Sequence, residues 1–180
     1  MVLRAAAVVA VAFLCVGGAE PAPADLKAEM RKLDWLVGRW EGEGWIQTGP
    51  QRQEFAGTET VQRKVGGLSL LIEGLFRKKG AGPDAPPVHE TLAVLSYDPE
   101  RRHYWMSAWL RTGRSGKYEA RAVSDTEMHW FIPLPEGQGQ VRYTIKLDDR
   151  QRWSEVGEMS PDGGKTWRKF FDMTLARVGE

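Results

Sequence analysis

From Arg39 to the carboxyl terminus, apolar and polar residues alternate with a period of two, the pattern of strands with one face turned to a core. Leu68, Leu70, Ile72, Gly74 and Phe76 share one side, with Ser69, Glu73 and Arg77 opposite. Val141, Tyr143, Ile145 and Leu147 oppose Arg142, Thr144 and Lys146. Trp167, Phe171, Met173 and Leu175 point one way, and Arg168, Asp172 and Thr174 the other. Ten such runs are predicted, near 39–48, 52–64, 68–78, 88–97, 101–111, 116–124, 126–132, 140–148, 151–159 and 166–178. Turn residues separate them, among them Thr48-Gly49-Pro50, Gly66-Gly67, Asp98-Pro99-Glu100, Asp148-Asp149 and Asp162-Gly163-Gly164. The gaps are too short for crossover helices, so the connections are hairpins and the sheet is antiparallel. An open sheet of this size would leave two bare edges, and closure removes them. The pattern therefore predicts an all-β fold, a ten-stranded antiparallel up-and-down β-barrel.

Ahead of the strands the period changes. Asp25 caps a short helix in which Leu26, Met30, Leu33 and Val37 recur near helical spacing, and Gly38 ends it. A helix this short is marginal alone, so its apolar stripe should dock on one end of the barrel. Earlier still, Arg4 precedes an unbroken apolar run from Ala5 to Val16, followed by small residues at Gly17-Gly18-Ala19 and Ala22-Pro23-Ala24. A charged start, a short apolar stretch and a small-residue exit form a signal-peptide pattern. The run falls short of the roughly 20 apolar residues a spanning helix needs. Residues 1–24 are read as a signal peptide and 25–180 as a single lipocalin-like barrel domain, exported to the periplasm or secreted, with no stable membrane insertion after cleavage. Phe13 and Leu14 stand where a lipoprotein would carry small residues before its cysteine. Cys15 is the only cysteine, so the mature chain has no disulfide, Cys ligand or thiol nucleophile.

Composition narrows the function classes. With 25 basic and 24 acidic residues, the net charge of +1 gives no electrostatic footprint for nucleic acid. Eight Trp in 180 residues imply a large core or a lined cavity. A barrel of eight strands already holds one small ligand, and a wider one has more room.

The segment Gly38-Arg39-Trp40-Glu41-Gly42-Glu43-Gly44, following a helix, resembles the opening strand of the calycin superfamily, which includes lipocalins, fatty-acid-binding proteins and nitrobindins. With the stretches Asp162-Gly163-Gly164-Lys165-Thr166-Trp167 and Phe171 to Arg177, it is most similar to a bacterial lipocalin-like domain family of unknown function. The resemblance implies a structural signature: Trp40, beside Gly42 and Gly44, packs against a basic residue of the last strand, here Arg177, in a cation–π contact. Nitrobindins bind haem through a histidine near the carboxyl terminus. This chain has His89, His103 and His129 and none later, so haem is disfavoured and no cofactor is expected.

The candidate binding wall lies in the 101–111 run. His103, Trp105, Ser107, Trp109 and Arg111 occupy one face and Tyr104, Met106, Ala108 and Leu110 the other. Both faces are apolar, so alternation alone does not choose between them. Taken as inward, the His103 face suits an amphipathic ligand whose carboxylate meets Arg111, with Trp130 and Tyr143 completing the pocket. Taken as outward, it is an aromatic patch for a protein partner. The mid-strand carboxylates Glu59, Glu73, Glu119 and Glu155 are expected among outward polar neighbours; two converging inside would be an acid–base pair. The three histidines show no metal-ligand spacing, and no metal or catalytic residue is assigned. Ser160 to Trp167 matches an Asp-box, read as a hairpin staple. The expected function is an exported, non-enzymatic binder of a small hydrophobic or amphipathic, possibly carboxylate-bearing, molecule. The alternatives are a nitrobindin-like haem protein, a barrel enzyme using a lumen carboxylate or histidine, and an interaction module with a filled barrel.

Overall fold

The computed structural model describes residues 25–135 and 139–179; the leader read from residues 1–24 lies outside them. A helix, α1 (Leu26–Arg31), and a single 3-10 turn at Asp34–Leu36 precede ten strands. These are β1 (Gly38–Ile46), β2 (Gln53–Lys64), β3 (Ser69–Lys78), β4 (His89–Asp98), β5 (His103–Leu110), β6 (Ser115–Ser124), β7 (Glu127–Pro133), β8 (Gln140–Leu147), β9 (Trp153–Ser160) and β10 (Arg168–Gly179). Each strand pairs antiparallel with the next, and β10 pairs with β1, closing the barrel. Closure leaves no free edge.

The register at the seam sets Trp40 opposite Arg177, Gly42 opposite Leu175 and Gly44 opposite Met173. The Arg177 guanidinium lies 4.1 Å from the centre of the Trp40 ring. It also donates to the carbonyls of Trp35 (2.7 Å) and Val37, so one side chain ties the last strand to the chain entering the first. Gly38, at φ 133°, is in the left-handed region, and a Cβ there would sit 2.6 Å from Arg177 Nη1. No residue but glycine fits this junction.

Asp25 caps α1, accepting from the backbone N–H of Lys27 (3.0 Å) and Ala28 (3.1 Å). The helix is too short to persist alone. Its stability comes from Met30, Leu33 and Leu36, all buried across one end of the barrel, where each such side chain contributes roughly 1.5–3 kcal/mol. Tyr104 Oη donates to the Glu29 carbonyl (2.9 Å) and Trp40 Nε1 to the Leu36 carbonyl (2.8 Å), fastening the plug to the wall.

One local expectation is corrected. Trp167 is not on the inner face of β10: that strand begins at Arg168, and the indole lies outside with the Arg142 guanidinium 4.2 Å from its ring centre. A register shift between Lys169 and Phe171 then lets Phe170 be buried next to the inward Phe171. The Asp-box does form a staple. Asp162 accepts from Ser160 Oγ, Thr166 Oγ1 and the backbone N–H of Lys165 and Thr166, and these bonds hold its carboxyl down at about 2. Gly163 and Gly164 supply the positive φ angles of the turn.

Candidate functional site in the open half of the barrel

Successive strands run in opposite directions, so the barrel has two ends. The connections at the plugged end are short: 65–68, 99–102, 125–126 and 148–152. The other end carries the longer loops, including 79–88 and the 161–167 staple. At the plugged end the inward side chains Trp40, Leu70, Leu95, Met128, Trp153 and Leu175 are all buried. Toward the other end inward residues keep exposed surface: Ile46, Ala108, Tyr118, Trp130, Tyr143 and Phe171 are only half-buried. Inward side chains are thus fully buried at the plugged end, while toward the loop end several keep part of their surface beside the buried Phe55, Phe76 and Phe170.

Glycines shape the accessible half. The Phe55 ring lies over Gly44, Phe76 over Gly57, and Tyr118 folds back over Gly116. Each ring uses the space that a Cβ would take, which lets large aromatic side chains lie flat against the inner wall. Phe55 stacks on Phe171 (5.7 Å between centroids), and Trp130 stacks on Tyr143 at 4.2 Å with planes 5° apart. These are offset-stacked aromatic pairs from different strands.

Two inward carboxyls are buried deeper among the side chains of this aromatic bowl. Glu59 lies on the face of β2 shared with Phe55 and Val61, and Glu155 on the face of β9 shared with Trp153 and Gly157. They are 7% and 8% exposed. The expectation that all four mid-strand carboxylates point outward is thus corrected for these two, while Glu73 and Glu119 lie on the outer faces of their strands. Glu59 reaches across to Gly74, where an added Cβ would stand 2.6 Å from its Oε2. Burial first, and the charge of Glu155 second, push the Glu59 carboxyl up to about 8. Burial raises Glu155 to about 7, opposed by N–H groups from Trp153 and Trp130. Trp153 Nε1 donates to Glu155 Oε2 at 3.3 Å. Trp130 Nε1 is directed toward the same carboxyl without reaching hydrogen-bond geometry, and stays buried without a partner. Near neutral pH, at least one carboxyl of the pair therefore holds a proton.

The seven residues expected to line the pocket divide. Trp130 and Tyr143 are in the lumen, stacked on each other. The other five are on the outer wall, which corrects the inward assignment of the 101–111 face. The inner face of β5 belongs to Tyr104 and Met106, both buried. Outside, the His103 ring meets Trp105 edge-on at 4.5 Å and lies 3.9 Å from Glu119. Trp105 Nε1 donates to Asp98 (2.9 Å) under the ammonium of Lys117, 4.4 Å from its ring centre. Ser107 shares this outer face, Trp109 is 48% exposed, and Arg111, just past the end of β5, pairs with Glu90 at 3.1 Å. Arg111 thus has no access to a lumen ligand. Outer apolar residues here are covered by charged stems rather than by a core.

Of the histidines, His129 pairs with Glu127 on the outer face (2.8 Å). His89 faces inward beside Phe76, 6.0 Å between centroids, and burial lowers its pKa, keeping it neutral near pH 7. Among the described residues, no three His, Cys, Asp or Glu side chains come together as a metal site.

Chemically, the bowl offers flat aromatic surfaces, one unpaired indole N–H and two carboxyls that exchange protons near neutrality. The sequence signal for the carboxyls was their parity: Glu59 alternates in step with Phe55 and Val61, and Glu155 in step with Trp153 and Met159.

No protein-family model and no curated protein matches this chain. Fourteen chains of solved structures match it in fold. One is the crystal structure of Rv2717c from M. tuberculosis, similar with a TM-score of 0.61 at 16% sequence identity over 86% of this chain and 98% of that one. At that identity the likeness is one of fold, shared with this closed ten-stranded barrel.

Proposed function

We propose that the protein is a binding protein that takes a small, largely apolar molecule into the open half of its barrel. The observation that carries this is the contrast along the lumen: inward aromatic residues are sealed at the helix end but half-exposed around Trp130, Tyr143 and Phe171. Exposed aromatic surface that faces inward is a poor use of a core and a good use of a pocket. Export belongs to the same reading, supported by the apolar leader of residues 5–16. Amino-terminal sequencing of the mature protein should then begin near Asp25.

The test is intrinsic fluorescence. A flat apolar ligand entering the bowl stacks on the Trp130–Tyr143 pair and quenches Trp130, and Trp130→Phe removes the ligand-dependent part of the signal. If no member of a broad panel of small aromatic and aliphatic compounds changes the emission, the binding reading fails.

A second reading is favoured by the buried carboxyls: proton transfer to or from the bound molecule, with Glu59 as acid and Glu155 as base. It requires turnover with a pH optimum near neutrality that Glu155→Gln abolishes. Binding without turnover leaves the first reading alone.

A further inference from the structure

The outer wall carries four indoles, and three of them are covered by a cation of this chain. The Arg52 guanidinium lies 3.6 Å from the centre of the Trp45 ring, the Lys117 ammonium 4.4 Å from that of Trp105 and the Arg142 guanidinium 4.2 Å from that of Trp167. Trp109 is the exception. It is 48% exposed, and among the described residues neither a cation nor another aromatic ring lies against it. It stands at one side of a groove of about 650 Å³ on the outside of β2–β5, a size that suits a small molecule. The pairing register puts Thr60, Glu73, Leu92 and Trp109 in one outward row across those four strands. Leu92, 40% exposed, lies between Glu73 and Trp109, which are two strand spacings, roughly 10 Å, apart. The other two charged side chains of the groove neutralise each other, Arg111 pairing with Glu90 at 3.1 Å. Glu73 makes no ion pair or side-chain hydrogen bond among the described residues. The groove therefore keeps one uncompensated carboxylate and one uncovered indole, on either side of an apolar floor of Leu75 and Leu92.

We infer that this groove is a second binding site, for a small organic cation whose alkylated ammonium sits on Leu92 between the Trp109 ring and the Glu73 carboxylate. Both flanking groups attract positive charge, the indole face through its quadrupole and the carboxylate through its own charge. The leucine floor favours alkyl substituents on the cation over a hydrated metal ion, because it takes methyl groups out of water. An anion is repelled by Glu73, and Arg111, already paired, does not compensate. The ligand supplies to Trp109 what Arg52, Lys117 and Arg142 supply to the other three outer indoles. The site goes beyond the binding reading above and does not depend on it: Trp109 and Glu73 are on the outer faces of β5 and β3, whereas Trp130 and Tyr143 are in the lumen.

Three probes of one shape test this: choline (cation), 3,3-dimethylbutan-1-ol (neutral) and 3,3-dimethylbutyrate (anion). Each is titrated into the nitrogen-15-labelled protein and read at the indole N–H signals, with that of Trp109 assigned from Trp109→Phe. Choline should shift the Trp109 signal saturably and bind at least about tenfold tighter than the alcohol, with the anion weakest. High salt should narrow the difference, because the site is open to solvent and screened. Glu73→Gln should bring the choline-to-alcohol ratio toward one, and Trp109→Leu should abolish choline binding. Both positions are exposed, so both variants should keep the wild-type spectrum elsewhere. Trp45→Phe, at an indole already covered by Arg52, should bind choline as the wild type does. Equal affinity for choline and the alcohol, or no saturable shift of the Trp109 signal by choline in the millimolar range, overturns the inference. A choline response confined to the Trp130 signal overturns it too, placing the cation in the lumen.

Discussion

The two halves of the barrel are built from the same kind of residue and finish in opposite states. Each has an aromatic pair. At the helix end Trp40 meets Trp153 edge-on at 5.6 Å, both rings are fully buried, and the Trp40 N–H is bonded to Leu36. At the loop end Trp130 stacks on Tyr143, both keep exposed surface, and the Trp130 N–H has no partner. The helix, the Arg177 clamp and the short connections satisfy and seal the first pair. Neither the long loops nor a helix does this for the second. A closed barrel can concentrate its packing at one end and keep unsatisfied groups at the other, because continuous backbone pairing around the wall joins the two.

That contrast predicts unequal consequences for mutation. The largest should come from Trp40→Ala, which removes a buried ring, a hydrogen bond and the platform for Arg177. Denaturant unfolding should show a loss of about 3–5 kcal/mol, and an unchanged midpoint would mean the plug is not where stability resides.

Next is the pH dependence of stability. Burial raises Glu59 and Glu155 in the folded state to about 8 and about 7, against an ordinary glutamate value of 4.5. The folded protein binds more protons than the unfolded chain between these limits. The stability tied to protonation is therefore full below about pH 4.5 and declines as pH rises toward about 8. Glu59→Gln, neutral at every pH, should gain on the order of 4 kcal/mol over the wild type near pH 9 and close to nothing near pH 4. A parallel pair of pH–stability curves would show the carboxyl to be solvated rather than buried.

A smaller effect is expected in the open bowl. Tyr143→Leu keeps apolar bulk but loses the stack on Trp130, and should cost about 0.5–1.5 kcal/mol of stability while removing most ligand-dependent fluorescence change. A cost as large as that of Trp40→Ala would erase the distinction between the two ends. The smallest effect belongs outside the lumen. Arg111→Ala removes an exposed ion pair with Glu90, and its unfolding free energy should stay within about 0.5 kcal/mol of the wild type, with ligand binding unaltered. Lost binding in this variant would return the site to the outer wall.

How legible these features were depended on whether neighbouring positions agreed. In β8, the row Val141, Tyr143, Ile145 and Leu147 is apolar and its alternates polar, so the inner face could be read directly, and the structure turns it inward. β5 is apolar on both faces. There only the neighbours decide: Tyr104 lies inward, its hydroxyl bonded to the helix plug, and that sends His103, Trp105 and Trp109 outward. The lumen carboxyls failed to stand out for the opposite reason. Their parity matches the inner face, but a glutamate in mid-strand normally marks the solvent face, and the two signals point in opposite directions.

The chain alone determined the number of strands, their antiparallel hairpin order, the helix capped by Asp25 and the glycine junction at Gly38, because each depends on local periodicity, turn chemistry or backbone freedom. It also supplied the Trp40 and Arg177 pair through resemblance. Only the closed tertiary structure decided which end is sealed, which face of β5 looks inward and that Glu59 and Glu155 are both buried on the inner wall. Those features depend on strands distant in sequence reaching the same lumen, where burial and mutual repulsion act across the barrel rather than along the chain.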